Sequence, residues 1–581
     1  MNVNTHALPL CAMLAAWGCA PQAAAPETGH DAGADECAAG QTVCISDAVH
    51  RCDADGTTGA LLQICDLECR DGACVHSCEA AAQRDGNLGC EFWAVDLGNA
   101  REIGPAPDED GQCPSIWAGT APVDDVPVCH DDAGRIGGDC GYGGDCSSLG
   151  DGYACSPTPV CLLDGQRAPF AIVVANPDRD HAVAVTIESG EGMSQTRDVP
   201  AGAVFPIYPQ ALGFPDQSLG YSEITNGAYR ITSTAPIVAY QLNPFDDVGV
   251  FSNDGSLLLA AHALDTEYYG VTYPTHSRGG PARDFDGYLT VVATAPGETM
   301  VTVDSAGHVR SGGIDSMQPG QQRAFALRRF QTLTLAAAGG APGEPGSDLT
   351  GTRIVADRPI AVFGGHEGAF VEDGGAGGCC LDHLETQLIP TTTWGAHYAI
   401  ARSRQRSLER DMLRIMAQRS GTVVDITPPG SGSCPVLDAG THCDVFIEGD
   451  TVVSASDPIL VTHYLTAVAE SGPASGDPSM TLAVPTAQHR RTYSFLVPEH
   501  YANNYASIVA RAGDAPKLDG QDIGSQLAPF GDGYAGGRIP LEAGQHRLDC
   551  AAGCGLMVHG WSHKVSYMFA GGLDLERIAV P

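Results

Sequence analysis

The chain has 581 residues, of which 31 are Lys or Arg and 70 are Asp or Glu, leaving a formal net charge of −39. That charge repels nucleic acid and anionic headgroups and argues against DNA or RNA as a partner. The length is several times that of a usual domain of roughly 100–150 residues, so several cores are expected.

With 72 Gly, 38 Pro and only 17% charged residues, and with Val, Ile, Thr and Tyr gathered in short runs, the composition predicts an all-β chain of short strands and turns. Residues 7–16 (ALPLCAMLAA) form an apolar run too short for a bilayer, which needs about 20 residues, but of the length of a signal-peptide core. Ala16-Trp17-Gly18-Cys19 then resembles the lipobox of bacterial lipoproteins, so that residues 1–19 read as a signal peptide ending at a lipidated Cys19. Ala20 in the position after that cysteine implies an outer-membrane lipoprotein at the cell surface; cleavage near Ala23 to Ala25, giving a secreted chain, is the alternative. Residues 20–36 lack the apolar content to fold and read as a flexible tether. No later stretch reaches 18 uninterrupted apolar residues, so the only membrane attachment expected is the N-terminal lipid.

Cysteine is dense beyond residue 36, and in an exported chain this predicts disulfides. Cys37, Cys44, Cys52, Cys65, Cys69, Cys74 and Cys78 occupy residues 37–80, a stretch with hardly an aliphatic run, where staples must replace a core. The spacing resembles small cysteine-rich, EGF-like modules, and Cys90 is a candidate partner for the odd seventh cysteine. Cys113, Cys129, Cys140, Cys146, Cys155 and Cys161 mark a disulfide-knotted insertion over residues 101–165; no CxxC pair supports zinc instead. Cys434 with Cys443 and Cys550 with Cys554 are spaced to clip hairpins. Cys379 and Cys380 adjoin Asp382, His383 and Glu385 and follow His366, and this group reads as a polar loop network around a loop disulfide, with a metal or thiol site as the competing reading.

The remainder repeats itself weakly. A strand with a small or acidic residue near a proline recurs at Pro236, Pro359 and Pro458, and Cys554-Gly555-Leu556-Met557-Val558 keeps the apolar pattern without the proline. Each proline is expected at the start of its strand, where no ladder donor is required. Opening strands recur at residues 170–175, 288–293, 412–417 and 505–510, and Tyr-containing strands at residues 267–271, 397–400 and 492–495 hand each unit to the next. About four units, over residues 81–265, 266–390, 391–490 and 491–581, predict tandem β-sandwich-like repeats preceded by small disulfide-rich modules. A β-propeller with two blades per unit is the alternative.

Several runs carry a family resemblance: residues 351–367 (GTRIVADRPIAVFGGHE), 379–401 (CCLDHLETQLIPTTTWGAHYAIA), 475–480 (SGDPSM) and 566–575 (SYMFAGGLDL). Together they resemble the N-terminal domain of the IgGFc-binding protein family, over a span from about Cys90 to the C-terminus. The resemblance implies a non-enzymatic extracellular binding domain, without implying that immunoglobulin is what this chain binds. The insertion after Cys113 and the cysteine modules ahead of it depart from the family pattern.

No residue pattern anchors catalysis: G-x-S-x-G, G-x-x-x-x-G-K-[ST] and H-E-x-x-H are absent, as is a dinucleotide fingerprint after a strand. Asp246-Asp247 with Asn253-Asp254-Gly255, and Asp108-Glu109-Asp110-Gly111, could offer oxygens to Ca²⁺, but neither has EF-hand spacing and both read more simply as solvated turns. No cofactor is expected. The functional expectation is a cell-surface adhesion or recognition protein that presents loops to an extracellular protein or glycan; a structural envelope or matrix component working through homotypic contacts is the alternative.

Overall fold

A computed structural model describes residues 37–84, 86–113, 122–140, 142–245, 252–277, 284–340, 345–372, 380–428, 432–468 and 476–578. The leader with Cys19, the tether, Asp246-Asp247 and Cys379 lie outside the described residues. What is described is almost entirely antiparallel β-structure, with one short α-helix, Cys78–Ala82.

Strands Thr42–Ile45, Ala48–Cys52 and Thr58–Ile64 form a small sheet beside the hairpin Glu68–Arg70/Ala73–Val75. Disulfides Cys37–Cys52, Cys44–Cys69 and Cys65–Cys74 hold this module together. Cys78–Cys90 ties the helix, capped by the Ser77 hydroxyl, to strand Gly89–Val95. A separate four-stranded sheet (Arg101–Ile103, Pro122–His130, Ile136–Asp139, Ala154–Asp164) interrupts the chain before Ala171–Ala175, stapled by Cys113–Cys161, Cys129–Cys146 and Cys140–Cys155.

Four larger sheet assemblies share one plan. Each is built on a long strand: Ala228–Asn243, Arg353–Ala369, Thr451–Leu465 and Gly544–Ser562. A leading strand (Gly89–Val95, Asp265–Tyr269, Gly395–Ile400, Arg490–Val497) pairs with its first half. A second strand (Ala171–Ala175, Gly287–Ala293, Asp411–Ala417, Asn503–Arg511) pairs with its other half. On the opposite edge of that second half runs a short closing strand: Asp254–Leu257, Asp382–Gln387, Ser479–Leu482 or Val565–Ala570. The long strand thus belongs to two layers, which makes each assembly sandwich-like rather than a pair of propeller blades.

The passage between layers is the same corner four times. Opposite leading-strand partners two residues apart, the long strand advances five, from Thr232 to Ile237, Val355 to Ile360, Ser454 to Ile459 and Asp549 to Cys554. Pro236, Pro359 and Pro458 stand in these corners. The expectation that they begin strands is therefore corrected: each sits mid-strand, where the backbone has left the ladder and a missing N–H costs nothing. The fourth corner has Gly553 in the left-handed region at φ 85° and is spanned by the Cys550–Cys554 disulfide.

Tyrosines on the leading strands lock three corners. Tyr268 donates to the Ile360 carbonyl at 2.9 Å, Tyr398 to Ile459 at 2.6 Å, and Tyr493 to Cys554. The Tyr268 and Tyr493 hydroxyls also accept from the Asp265 and Arg490 amides. Phe92 holds the matching register position in the first assembly, opposite Ile231.

The closing strands meet in a cycle: Asp254–Leu257 touches Asp382–Gln387 and Val565–Ala570, and Ser479–Leu482 touches those same two. The four assemblies accordingly surround one centre and share a continuous apolar core running from Leu67 to Leu575. Asn87 helps close the circuit between the N-terminal region and the last assembly, accepting from Arg490 Nη1 at 2.7 Å and from the Leu573 amide.

Replacing Tyr268 or Tyr398 by Phe should destabilise the chain by about 1–3 kcal/mol each, because a buried carbonyl loses its donor. Urea unfolding of the two variants checks this.

Candidate functional site

The closing strands each carry polar side chains yet are fully buried along their lengths, with sequences DGSL, DHLETQ, SMTL and VSYMFA. Each uses one edge to pair with its long strand, so the main-chain groups facing the centre need other partners. Side chains supply them. Asp254 Oδ1 accepts from the Gly255 amide (2.9 Å), the Ser479 hydroxyl (2.6 Å) and the Met568 amide (3.2 Å), and Oδ2 from the Glu385 amide (3.2 Å) and the Met480 amide (3.0 Å). One carboxyl thereby receives donors from all four closing strands. The seam between the first two is stitched further: Asp382 Oδ1 accepts from the Asn253 amide at 2.6 Å, Ser256 Oγ from the Gln387 amide at 2.7 Å, and Gln387 Oε1 from the Leu259 amide at 2.8 Å.

Three further acids share this buried centre. Asp382 Oδ2 accepts from the Ser566 amide at 3.3 Å. The buried carboxyl of Asp477 faces that of Asp382. Two neighbouring buried carboxyls resist ionising together. Glu385 accepts from Gln241 Nε2 at 3.1 Å and lies 3.5 Å from His383 Nε2. Burial pushes all four up: Asp254 to about 8, Asp477 to about 7, and Asp382 and Glu385 well above the usual carboxyl range. Burial lowers His366 and His383 to about 3, so both imidazoles are neutral. His366 donates through Nε2 to the Pro274 carbonyl at 3.0 Å and accepts at Nδ1 from the Gly368 amide at 3.0 Å.

His366, Asp382, His383 and Glu385 therefore stand on strands, not in a loop, because the polar run from Asp382 to Gln387 is the second closing strand. Cys380 is disulfide-bonded at the end of this run. Asp254 is likewise no solvated calcium turn: it is 1% exposed and ringed by donors, the inverse of what a cation needs. Asp108 spends Oδ1 on the amides of Asp110 (3.0 Å) and Gln112 (2.7 Å), closing its own turn. Among the described residues, the one group of side chains close enough to hold a metal is Cys129, Cys140 and Cys146, and all three are in disulfides, so none is a thiolate ligand. Cys434–Cys443 joins strand His442–Ile447 to the turn before it.

Residues that sequence reading passed over complete the centre: Gln241, Ser256, Gln387, Ser479 and Ser566. For Ser256, Gln387, Ser479 and Ser566 the signal is a polar residue recurring within the short runs that come after each long strand; Gln241 stands on the first long strand itself. A second buried ionic group lies beside it. Asp411 accepts from His463 Nε2 at 2.7 Å and from the Ser403 amide and hydroxyl, each at 2.8 Å, and its partners hold its carboxyl well below the usual range.

The family described as IgGFc binding protein matches residues 254–560, more than half of the chain. The match opens at the hub aspartate, covers the second and third assemblies and ends in the long strand of the fourth, before its closing strand. A human IgGFc-binding protein is 24% identical over 359 residues, which is 60% of this chain and 6% of that much longer protein. No solved structure matches.

Asp254→Asn would turn an amide NH₂ toward backbone N–H groups and should cost about 3–5 kcal/mol. Asp108→Asn, on the surface, should stay within about 0.5 kcal/mol, and denaturant midpoints compare the two. Stability should also fall as pH rises from about 6.5 to about 8, since folded Asp254 and Asp477 keep protons that an unfolded chain has released near pH 4. Below that window the neutral histidines act oppositely and offset part of this slope, because an unfolded chain protonates them near pH 6.5. Asp477→Asn, which offers Asp382 a permanent donor, should remove up to about 1.4 kcal/mol per pH unit of this slope, read from urea midpoints across pH.

Proposed function

Because the chain belongs to the IgGFc-binding protein family, we propose that it is an extracellular binding protein without catalytic activity, held at a bacterial cell surface by a lipid on Cys19. The observation that carries this reading is the burial of the ionisable groups: Asp254, Asp382, Asp477, Glu385, His366 and His383 are enclosed, and Asp254, Asp382 and His366 are spent on the main chain. Such groups hold four assemblies around a centre and have no surface at which to meet a substrate. Function is then left to loops on a rigid frame, the usual place for recognition. The nine disulfides with both partners described suit an oxidising compartment, and no described helix is long and apolar enough to cross a membrane.

The ligand in this reading is an extracellular protein or glycan. The human relative's name concerns that protein, of which this chain matches only 6%, and the proposal does not extend to immunoglobulin. The cysteine-rich module of residues 37–80 serves as a spacer between the anchor and the ring of assemblies.

Purified chain should be retained by a defined protein or glycan class on an array of cell-surface components, and uniform indifference across such an array would sink the reading. Metabolic labelling with a palmitate analogue should mark the chain and be lost in Cys19→Ala; label persisting in that variant would refute the anchor.

A further inference from the structure

The segment between strands Gly395–Ile400 and Asp411–Ala417 has its polarity inside out. Leu408 is 91% exposed, more than any other large apolar side chain described. The side chains of its neighbours Arg406 and Glu409 are each 2% exposed. A leucine standing alone on a surface needs no explanation. This one does, because charges are buried to hold it there, at a desolvation cost of several kcal/mol per ion.

The seat is built from the third and fourth assemblies. Glu409 folds back on the turn, accepting from the Arg406 amide at 2.7 Å, the Ser407 amide at 2.6 Å and the Ser407 hydroxyl at 3.0 Å. Arg406 donates to the carbonyls of Asp477 and Thr466. From the fourth assembly, His559 Nε2 accepts from the Arg404 amide at 3.0 Å, while Ser507 Oγ and Arg538 Nε donate to the Arg402 carbonyl at 3.1 and 2.7 Å. A loop fixed on two sides loses little conformational freedom on contact, which favours binding.

Its charge is equally out of place. Residues 402–410 carry four arginines and one acid, in a chain with 31 basic and 70 acidic residues. Arg404, four residues before Leu408, is exposed, its guanidinium 6.0 Å from the Tyr505 ring centroid. An apolar anchor flanked by arginine fits an acidic surface with a small apolar recess. The chain itself offers an acidic surface in abundance, and exposed apolar side chains such as Leu61, Leu62 and Phe205.

We propose that the loop of residues 402–410 is a homotypic contact that docks Leu408 and Arg404 on the acidic surface of a second copy of this chain. Acidic face against acidic face repels, and loop against loop sets arginine against arginine. The attractive pairing is loop on acidic face, a head-to-tail contact that extends from copy to copy. This inference stands apart from the ligand-binding reading above, and either can fail without the other.

Sedimentation velocity on the full-length chain from micromolar concentrations upward tests it, with detergent present if the N-terminus is lipidated. The wild type should self-associate, and Leu408→Asp and Arg404→Glu should each weaken association at least about tenfold, equivalent to about 1.4 kcal/mol. Both side chains are exposed, so thermal melting should be unchanged and separates lost contact from lost fold. Photo-leucine at position 408 should cross-link to a second copy. A chain that stays monomeric, association indifferent to both substitutions, or a cross-link only to a different protein overturns the proposal.

Discussion

The carboxyl of Asp254 sits where four strands from four sheet assemblies come together, and it takes hydrogen bonds from every one of them. Short strands pairing along one edge leave main-chain donors pointing into the centre, and an unpaired buried donor is expensive. Apolar side chains could fill that space but could not satisfy those donors. Carboxyl, amide and hydroxyl side chains do both, which is why the centre is polar although it is buried. Deprotonating such a centre opposes its own burial, and so proton uptake and assembly of the ring are linked.

Around this centre the four assemblies are made equivalent by their corners. A strand of 15 to 19 residues can serve two layers if it leaves its ladder at a fixed point. Proline enforces that point in three assemblies, and a disulfide spans it in the fourth. Tyrosine hydroxyls then tie the corner carbonyl to the leading strand in the last three. These devices differ chemically but act on the same backbone groups, so the frame stays regular while its sequence diverges.

Away from the centre the frame carries smaller elements. The cysteine-rich module and the stapled insertion lie at the N-terminal end, where small sheets cannot bury enough apolar surface to hold themselves. The turn bearing Leu408 draws on the same buried network: Arg406 bonds the carbonyl of Asp477, whose side chain belongs to the central acid pair. A surface element and the core are thus linked within one residue.

The sequence by itself was enough for the all-β class, the repeat and the cysteine-rich blocks, because strand alternation, proline spacing and cysteine clustering are local patterns. It also singled out His366, Asp382, His383 and Glu385, as polar residues in a conspicuous run, while placing them in a loop. Only the tertiary structure decided that this run is a strand, that Asp254 is a structural hub and not a calcium turn, and that Pro359 marks a corner and not a beginning. The reason is physical: whether a polar side chain faces water or a ring of main-chain donors depends on strands more than a hundred residues away, and no local pattern records where they meet.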